Sequence, residues 1–328
     1  MEHGTKTLVT EKILRIYSGT AHPELAEEIA KHLGAPLGEP NIRRFSNGEI
    51  HCRFDESVRG TDVFIIQTHS EPVNANIMEQ LIMIDAAKRA SAKRITAVCP
   101  YYGYSRQDRK AEGREPIAAK LLADLLTIAG ADRMVSVDLH SGQIQGFFDR
   151  PVDHLTAMPV LLDYLRAETD GDVVIVSPDA GRVKVAERYS QALGGDLAFE
   201  HNRHVKGKAN EVEARGVIGE VAGRRCILLD DMIDTAGTIV AAAEILIDHG
   251  ATEVWAMATH GLLSGPAIDR IKNSKISRTV VTNTVPIGDE KQLDNLEVLS
   301  VSKIIADAID AVFEDTSVSE IFGGENQQ

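Results

Sequence analysis

The stretch CILLDDMIDTAGT, Cys226 to Thr238, joins an apolar run to two adjacent carboxylates and a loop of small residues. The run from Cys226 to Leu229 is typical of a parallel strand buried on both faces, and we expect the chain to turn at Asp230 and Asp231. The apolar pattern from Ile239 to His249 then predicts a helix. This order of strand, acid pair, loop and helix predicts an α/β fold with its chemistry at the carboxyl end of the strand.

The loop between the acid pair and the predicted helix can receive an anion. Backbone N–H groups and the positive end of the helix dipole converge there, and Gly237 lets the backbone approach closely. Two carboxylates beside a phosphate would repel it unless they face the hydroxyls of a sugar or a divalent cation. The motif therefore indicates a site for a sugar phosphate. The alternative is structural, with Asp230 and Asp231 ending a strand and Thr235 capping a helix.

The size and charge of the chain exclude several classes of function. Its 328 residues, 43% of them hydrophobic and 26% charged, suffice for two globular domains. The formal net charge of −14 disfavours general nucleic-acid binding. No apolar run reaches the roughly 18 to 20 residues that span a bilayer, the first residues lack the apolar core of a signal peptide, and the three cysteines lack metal-type spacing. We expect a cytoplasmic protein with neither nucleic-acid nor membrane partners.

Two segments share one pattern at an offset of 120 residues, which predicts an internal duplication. Ala123 to His140 and Ala243 to His260 each read as a helix, a Gly-Ala turn, a strand and a histidine. In this alignment the strand Ile95 to Cys99 corresponds to the strand of the acid pair. Strands alternate with helices through both halves, so we predict two duplicated parallel-sheet domains, residues 1–155 and 156–328.

Cys226 to Thr238 resembles the phosphoribosyl-diphosphate binding motif of phosphoribosyltransferases and ribose-phosphate pyrophosphokinases. Further segments resemble the pyrophosphokinases in one order over nearly the whole chain: RFSNGEI (44–50), ESVRG (56–60), MEQLIMIDAAKRASAKRITAV (78–98), YSRQDRK (104–110), DLHSGQIQGFFDRPVDHL (138–155), SPDAGRVK (177–184), THGLLSGPA (259–267) and SVSEIF (317–322). The chain is therefore similar to the class I ribose-phosphate pyrophosphokinase (phosphoribosyl diphosphate synthetase) family, with two domains of phosphoribosyltransferase type. The resemblance implies transfer of the diphosphoryl group of ATP to the 1-hydroxyl of ribose 5-phosphate, which gives 5-phosphoribosyl 1-diphosphate and AMP.

The resemblance also assigns the two substrates to different domains. It implies that residues 1–155 carry the ATP side and the oligomer contacts, and that residues 156–328 carry the ribose 5-phosphate side, with the last segment packed back on the first domain. Asp230 and Asp231 would hold the ribose hydroxyls. Five residues would hold the 5-phosphate: Asp234, Thr235, Ala236, Gly237 and Thr238.

For the nucleotide, the resemblance implies that the adenine of ATP lies on RFSNGEI of one subunit and its phosphates on YSRQDRK of a neighbour. The matching residues are Phe45, Asn47, Gly48, Glu49, Arg106 and Gln107. Phe45 offers a stacking face, and the forked guanidinium of Arg106 suits phosphate. The residues alone predict a hairpin with Asn47-Gly48 at its tip, and both interpretations can hold together.

His140 and Asp179 each follow an apolar strand, where ligands bind in parallel sheets. The resemblance implies that both serve Mg²⁺ at the ATP phosphates, so Mg²⁺ is the cofactor that we expect. Because Mg²⁺ prefers oxygen ligands, Asp179 is the better direct ligand, and His140 could contact phosphate instead. On the residues alone, His140 is a structural hydrogen-bonding residue and Asp179 caps a helix.

The segment EHNRHVKGKANEV departs from the family pattern, in which a mobile loop carries a catalytic lysine and an arginine two positions later. The best register puts Asn202 at the lysine position and His204 at the arginine position. Losing one such donor typically costs about 10² to 10³ in rate. Three alternatives stay open: Arg203, Lys206 or Lys208 compensates, the enzyme is impaired, or the chain is a non-catalytic regulatory subunit. A phosphoribosyltransferase is a further alternative, although no base-binding segment is evident.

The resemblance finally implies a homo-oligomer, a hexamer built from dimers, which ADP inhibits and inorganic phosphate activates at a site shared between subunits. The matching positions are Ser57, Arg59, Ser91, Ser317, Val318 and Phe322. Hydroxyls and a guanidinium can bind a small anion, although each of these residues is otherwise an ordinary surface group.

Overall fold

Parallel strands alternate with helices along the chain and form two sheets, as the sequence predicts. The computed structural model describes residues 12–170, 172–178, 181–204 and 212–322, without the side chains of residues 200–204 and 212–215. Within these ranges no helix is long and apolar enough to cross a membrane.

The first half contains one six-stranded parallel sheet and a separate hairpin. Its strands are β1 (Leu14–Ser18), β2 (Leu37–Gly38), β3 (Pro40–Arg44), β4 (Ile50–Phe54), β5 (Asp62–Ile66), β6 (Arg94–Cys99), β7 (Arg133–Val137) and β8 (Val152–Leu155). Its helices are α1 (Pro23–Leu33), α2 (Val73–Arg89) and α3 (Ala118–Ala129). The sheet order is β2-β1-β5-β6-β7-β8, while β3 and β4 pair antiparallel with each other.

The second half contains a seven-stranded sheet of order β11-β10-β9-β12-β13-β14-β15, in which only β11 is antiparallel to its neighbour. Its strands are β9 (Val173–Ser177), β10 (Asp196–His204), β11 (Val212–Ile218), β12 (Arg225–Ile233), β13 (Glu253–Gly261), β14 (Arg278–Thr282) and β15 (Leu296–Leu299). Its helices are α4 (Met158–Glu168), α5 (Val183–Leu193), α6 (Gly237–Asp248), α7 (Ala267–Lys272) and α8 (Ser302–Phe313). Short 3₁₀ turns cover Gly142–Phe147, Asp289–Lys291 and Val318–Phe322.

The duplication is confirmed, but the predicted offset of 120 residues is wrong by one strand–helix unit. The order β2-β1-β5-β6-β7-β8 of the first sheet repeats as β10-β9-β12-β13-β14-β15 in the second, so β5 corresponds to β12 and β6 to β13. Gln67 and Thr68, which follow β5, therefore occupy the positions of Asp230 and Asp231. A helix, a glycine turn and a strand recur in successive units, so local similarity alone does not decide which units correspond.

Strand β12 is longer than predicted, because the chain does not turn at the acid pair. Pairing with β13 continues through Asp230↔Ala258 to Ile233↔Gly261. Strand pairing supplies hydrogen bonds to the backbone beyond the carboxylates, and the side chain of Ile233 is buried there. Asp230 and Asp231 are consequently strand residues on a part of β12 that pairs with β13, beyond the end of its pairing with β9 at Leu228.

One apolar core contains residues of both sheets together with α1, α4, α5 and α8. Helix α8 packs on α1, where Ile305 and Ile309 join Leu25 and Ile29 in this core. Asp315, just after α8, forms ion pairs of 2.6 Å with Lys12 and 2.5 Å with Arg94. The last segment thus packs on the first half, while the boundary between residues 155 and 156 stays a prediction.

Candidate active site

The carboxyl ends of the two sheets face each other, and polar contacts cross between them. His140, which follows β7, places Nδ1 2.7 Å from Oδ2 of Asp231 on β12. Arg106, which follows β6, places Nη1 2.7 Å from Oδ2 of Asp234. Arg106 and His140, predicted for the nucleotide side, therefore meet residues predicted for the sugar side in one region.

Arg182, which precedes α5, contacts both members of the acid pair. Its Nη2 lies 2.7 Å from Asp231 Oδ2, and its Nε lies 3.7 Å from Asp230 Oδ1. The same guanidinium donates to the carbonyl oxygen of His140 at 3.1 Å. Arg182 was not among the site residues predicted from the sequence. The available signal was a basic residue in SPDAGRVK, a few positions beyond the buried strand β9.

Different surroundings divide the charge of the acid pair. Burial raises the pKa of Asp230 to about 8, and the adjacent Asp231 adds to this shift. Burial also opposes ionisation of Asp231, but its hydrogen bond to His140 and the charge of Arg182 outweigh burial and lower the pKa of Asp231 to about 2. These opposite shifts favour a pair in which Asp231 carries the negative charge and Asp230 retains a proton near neutral pH. One carboxyl group can therefore accept a hydrogen bond while the other donates one.

The loop after β12 has the backbone of an anion site at a helix start. Helix α6 begins at Gly237, two residues before the predicted start. Ala236 has a φ of 60°, in the left-handed region, which turns the chain from the loop into the helix. The N–H groups of a first helical turn have no partner within the helix, and Thr235 and Thr238 are exposed beside them.

Two hydrogen bonds from outside hold this loop. The N–H of Ser264 donates to the carbonyl oxygen of Asp234 at 2.9 Å. Arg270 Nη1 donates to the carbonyl oxygen of Thr235 at 2.9 Å. These hydrogen bonds restrain the loop without a ligand, which would reduce the entropy cost of binding an anion there.

A cleft of about 590 Å³ lies beside the Arg106–Asp234 ion pair and between the two halves of the chain. This volume is typical of small-molecule sites. Its walls include residues of both halves: His69, Ser70, Tyr101, Ser264 and Lys291.

The loop that carries Arg106 and Gln107 is fastened to a buried histidine. Burial lowers the pKa of His69 to about 4, so its ring is neutral. The N–H of Gly103 donates to His69 Nδ1 at 3.0 Å, which leaves Nε2–H to donate to Gln80 Oε1 at 2.8 Å. His69 belongs to the loop after β5, the topological equivalent of the sugar-phosphate loop.

The segment RFSNGEI forms the tip of the β3–β4 hairpin, as the residues predict. Gly48 has a φ of 91°, and its N–H donates to the carbonyl oxygen of Phe45 at 2.8 Å. Phe45 is 56% exposed. Among the described residues, no hydrogen bond or ion pair joins Phe45, Asn47 or Glu49 to Arg106, and the nucleotide role of the hairpin stays a prediction.

Asn202, Arg203 and His204 lie in a strand, whereas we expected a mobile loop. Strand β10 runs to His204 because it pairs antiparallel with β11, and Asn202 stands opposite Arg215 in this register. Lys206, Lys208 and the predicted metal ligand Asp179 lie outside the described residues. The catalytic and metal roles of all these residues stay predictions.

The six predicted regulatory residues fall into two kinds of environment. Ser57, Arg59, Ser91 and Ser317 are exposed, and the carbonyl oxygen of Ser91 accepts a hydrogen bond from Gly60 at 2.9 Å, which joins two of the segments. Val318 and Phe322 are buried in the apolar core, so their side chains stabilise the fold. The regulatory role of all six residues stays a prediction.

The fold is the duplicated form of the phosphoribosyltransferase type of α/β protein. Residues 14–130 match the family model described as the N-terminal domain of ribose phosphate pyrophosphokinase, and residues 196–323 match that of the phosphoribosyl synthetase-associated domain. The chain belongs to the ribose-phosphate pyrophosphokinase family.

Similar proteins extend over nearly the full chain. The ribose-phosphate pyrophosphokinase of Streptomyces coelicolor is 56% identical over 320 residues, which cover 97% of this chain and 98% of the relative. That of Mycobacterium tuberculosis is 53% identical and covers 96% of this chain and 97% of the relative. The crystal structure of phosphoribosylpyrophosphate synthetase from Mycobacterium smegmatis superposes with a TM-score of 0.87 at 52% identity, over 93% of this chain and 100% of that one.

Proposed function

We propose that this chain transfers the diphosphoryl group of ATP to the 1-hydroxyl of ribose 5-phosphate, which gives 5-phosphoribosyl 1-diphosphate and AMP. The observation that carries the proposal is the acid pair on β12, followed at the start of α6 by a loop whose backbone can bind an anion. Both belong to a chain of the ribose-phosphate pyrophosphokinase family. The product is a precursor for nucleotide, histidine and tryptophan synthesis.

The sugar phosphate binds at the second half of the chain. Asp231 accepts a hydrogen bond from one ribose hydroxyl, and Asp230 engages the neighbouring hydroxyl as donor or acceptor, according to its protonation. The N–H groups and hydroxyls of residues 234–238 hold the 5-phosphate at the helix start. This orientation directs the 1-hydroxyl towards the side where His140 and Arg106 lie.

ATP binds on the side of the first half. Arg106 contacts its phosphates with Gln107 beside it, and Phe45, Asn47, Gly48 and Glu49 of another subunit hold the adenine. Transfer of a phosphoryl group needs the two substrates in line and positive charge at the oxygens where negative charge spreads. Arg106 and Arg182 supply positive charge in this region, where they form ion pairs with Asp234 and Asp231.

Mg²⁺ fits the donors that are present. In the described part of the chain, no three His, Cys, Asp or Glu side chains are placed to hold a metal ion together. Mg²⁺ at nucleotide sites usually binds through one or two protein groups together with phosphate oxygens and water, so a full protein cage is not required. His140 and Asp179 would hold the ion, which would neutralise phosphate charge.

A cytoplasmic hexamer, with ADP and inorganic phosphate as regulators, completes the proposal. Exposed Phe45 at the hairpin tip supports an adenine contact between subunits, because the hairpin makes no polar contact with the Arg106 loop of its own chain within the described residues. Ser57, Arg59, Ser91 and Ser317 would bind the regulatory anion.

Incubation of the purified chain with ATP, ribose 5-phosphate and Mg²⁺, followed by ³¹P NMR and separation of nucleotides, tests the proposal. We expect AMP and 5-phosphoribosyl 1-diphosphate in equal amounts, with no ADP from the same reaction. The Asp231→Asn variant is the matched control, since it keeps the size of the side chain and removes the negative charge. Formation of ADP, or of neither product, would contradict the proposal.

A further inference from the structure

Asp138, just after β7, joins the two halves of the chain through its carboxylate. The residue is 8% exposed. Its Oδ2 accepts hydrogen bonds from Thr259 Oγ1 at 2.6 Å and from the N–H of Ala157 at 2.9 Å. Thr259 lies on β13 of the second sheet, so a buried charged hydrogen bond crosses between the sheets.

The backbone carbonyl of Asp138 is bound by His260, the residue that follows Thr259 on β13. His260 Nε2 lies 3.0 Å from the carbonyl oxygen of Asp138, and His260 Nδ1 lies 2.9 Å from Thr284 Oγ1. His260 is 1% exposed, and burial lowers its pKa, so the ring is neutral. Since a carbonyl oxygen only accepts, Nε2 carries the proton and Nδ1 accepts from Thr284.

The conformation of Asp138 shows that these contacts impose a special backbone. Its φ is +37°, in a region that side chains other than glycine, asparagine and aspartate rarely adopt. Such a conformation persists when the surroundings determine it. Here the determinants are consecutive residues of the opposite sheet, Thr259 for the side chain and His260 for the carbonyl.

His140 follows two residues after Asp138, so its ring is tied closely to that anchor. Two residues span at most about 7 Å of chain, and a shift of Asp138 is therefore passed to His140 almost directly. The ring of His140 lies 2.7 Å from Asp231, a distance that such a shift would change. We propose that Asp138 is a positioning residue, which, through Thr259, holds His140 at hydrogen-bond distance from Asp231.

The kinetic consequence rests on the proposed function, because His140 is assigned there to the phosphates and Mg²⁺. Misplacement of a group at the reaction centre lowers the rate of the chemical step more than it lowers substrate binding. The 5-phosphate loop and the hairpin do not hydrogen-bond to Asp138 in the described structure, and Asp231 keeps its contact with Arg182 when His140 moves, so both Michaelis constants should change less than kcat.

Thr259→Val and Thr259→Ser form a matched pair for the test. Valine keeps the branched shape and removes the hydroxyl donor, whereas serine keeps the donor. We expect Thr259→Val to lower kcat about tenfold with both KM values within about threefold, and Thr259→Ser to stay within about twofold of the wild type. In a His140→Ala background, Thr259→Val should lower kcat no further, because the residue acts through His140. Equal losses in the two variants, or a full additional loss in the His140→Ala background, would overturn the proposal.

Crystal structures of the two variants provide a readout that does not depend on turnover. We expect the distance from His140 Nδ1 to Asp231 Oδ2 to exceed about 3.5 Å in Thr259→Val, beyond hydrogen-bonding range, and to be retained in Thr259→Ser. An unchanged distance in the valine variant would refute the positioning role even if the reaction were different. If the valine variant fails to fold, Asp138→Asn replaces it: asparagine tolerates this φ, but its neutral oxygen accepts more weakly, and we expect a smaller loss of kcat with the same pattern in KM. Wild-type turnover in the same assay tests the proposed function separately.

Discussion

Arg106 and Asp234 form an ion pair of 2.7 Å between the loop predicted to bind the phosphates of one substrate and the loop predicted to bind the phosphate of the other. The guanidinium is about half exposed, so solvent weakens the pair. Phosphate groups that enter the site must compete with Asp234 for Arg106. Under the proposed function, this ion pair would couple the binding of ATP to the binding of ribose 5-phosphate.

Removal of this carboxylate should strengthen ATP binding. We expect Asp234→Asn to lower the KM for ATP about two- to fivefold, because an exposed ion pair is worth about 1 kcal/mol or less. The effect should shrink as salt rises, since salt screens exposed charges. Steady-state kinetics at low and high ionic strength measure it. Asp248→Asn, at the opposite end of α6, makes the same change in net charge and should leave the KM unaltered; an equal effect there would show that the local pair is not responsible.

Binding of ribose 5-phosphate should release a proton from Asp230. The raised pKa of about 8 means that the group is mostly protonated in the free protein at pH 7, and a sugar hydroxyl that donates to it favours the ionised form. The affinity should therefore rise as the pH increases from about 6 to 8 and level off above the folded pKa. Calorimetry in two buffers of different ionisation enthalpy counts the released protons. In Asp230→Asn the proton release should disappear; its persistence would assign the titration to another group.

The raised pKa of Asp230 should also make the free energy of unfolding depend on pH. A carboxyl group whose folded pKa is raised binds more protons in the folded than in the unfolded protein, so its contribution to the free energy of unfolding falls as the pH rises from about 4 to about 8. Urea unfolding across this range should show Asp230→Asn gaining stability relative to the wild type with increasing pH. A constant difference between the two proteins would mean that Asp230 ionises normally.

The anion loop should be sensitive to a single methyl group. A Cβ at residue 237 would lie 3.2 Å from Arg270 Nη1, the atom that donates to the carbonyl oxygen of Thr235. We expect Gly237→Ala to displace the guanidinium and to weaken ribose 5-phosphate binding about three- to tenfold, the usual effect of losing one hydrogen bond. Calorimetric titration measures it. Arg270→Met removes the same hydrogen bond and should give a similar loss; normal binding by both variants would rule out this support of the loop.

Asn202 and His204, in the β10–β11 hairpin, should lower kcat because they carry no permanent positive charge. Restoring cations with Asn202→Lys and His204→Arg together should raise kcat by about 10-fold or more, because a preorganised cation at the transferring phosphoryl group typically contributes about 10² to 10³. Initial rates of AMP formation measure the change. Thr252→Lys, at the amino end of β13, is the control for added charge remote from the site. An unchanged kcat in the double variant would show that Asn202 and His204 are compatible with full activity.

Local order was predictable from the sequence, whereas correspondence and pairing were not. The apolar run before Asp230, the small loop and the helix all follow from periodicity and residue type. The extension of β12 to Ile233 depends on β13, whose pairing is not visible in a local window. Strand structure at Asn202 depends in the same way on β11.

The site was predictable where residues follow strand ends in the linear sequence. Asp231 and His140 are such residues, and their proximity follows from the packing of two sheets, which the sequence does not specify. Arg182 was missed because its role comes from three partners in space. Asp138 carried no local signal, since its donors lie about 20 and 120 positions away in the chain.

Helix α8 is synthesised long after α1, the helix on which it packs. Residues 302–313 leave the ribosome after every strand of the second sheet, yet they cover α1 near the beginning of the chain. The nascent first half therefore leaves the apolar face of α1 uncovered until residues 302–313 have been translated, and exposed apolar surface of this kind makes a folding intermediate prone to aggregation. Premature termination before residue 302 would leave that surface permanently open and direct the fragment towards aggregation or proteolysis.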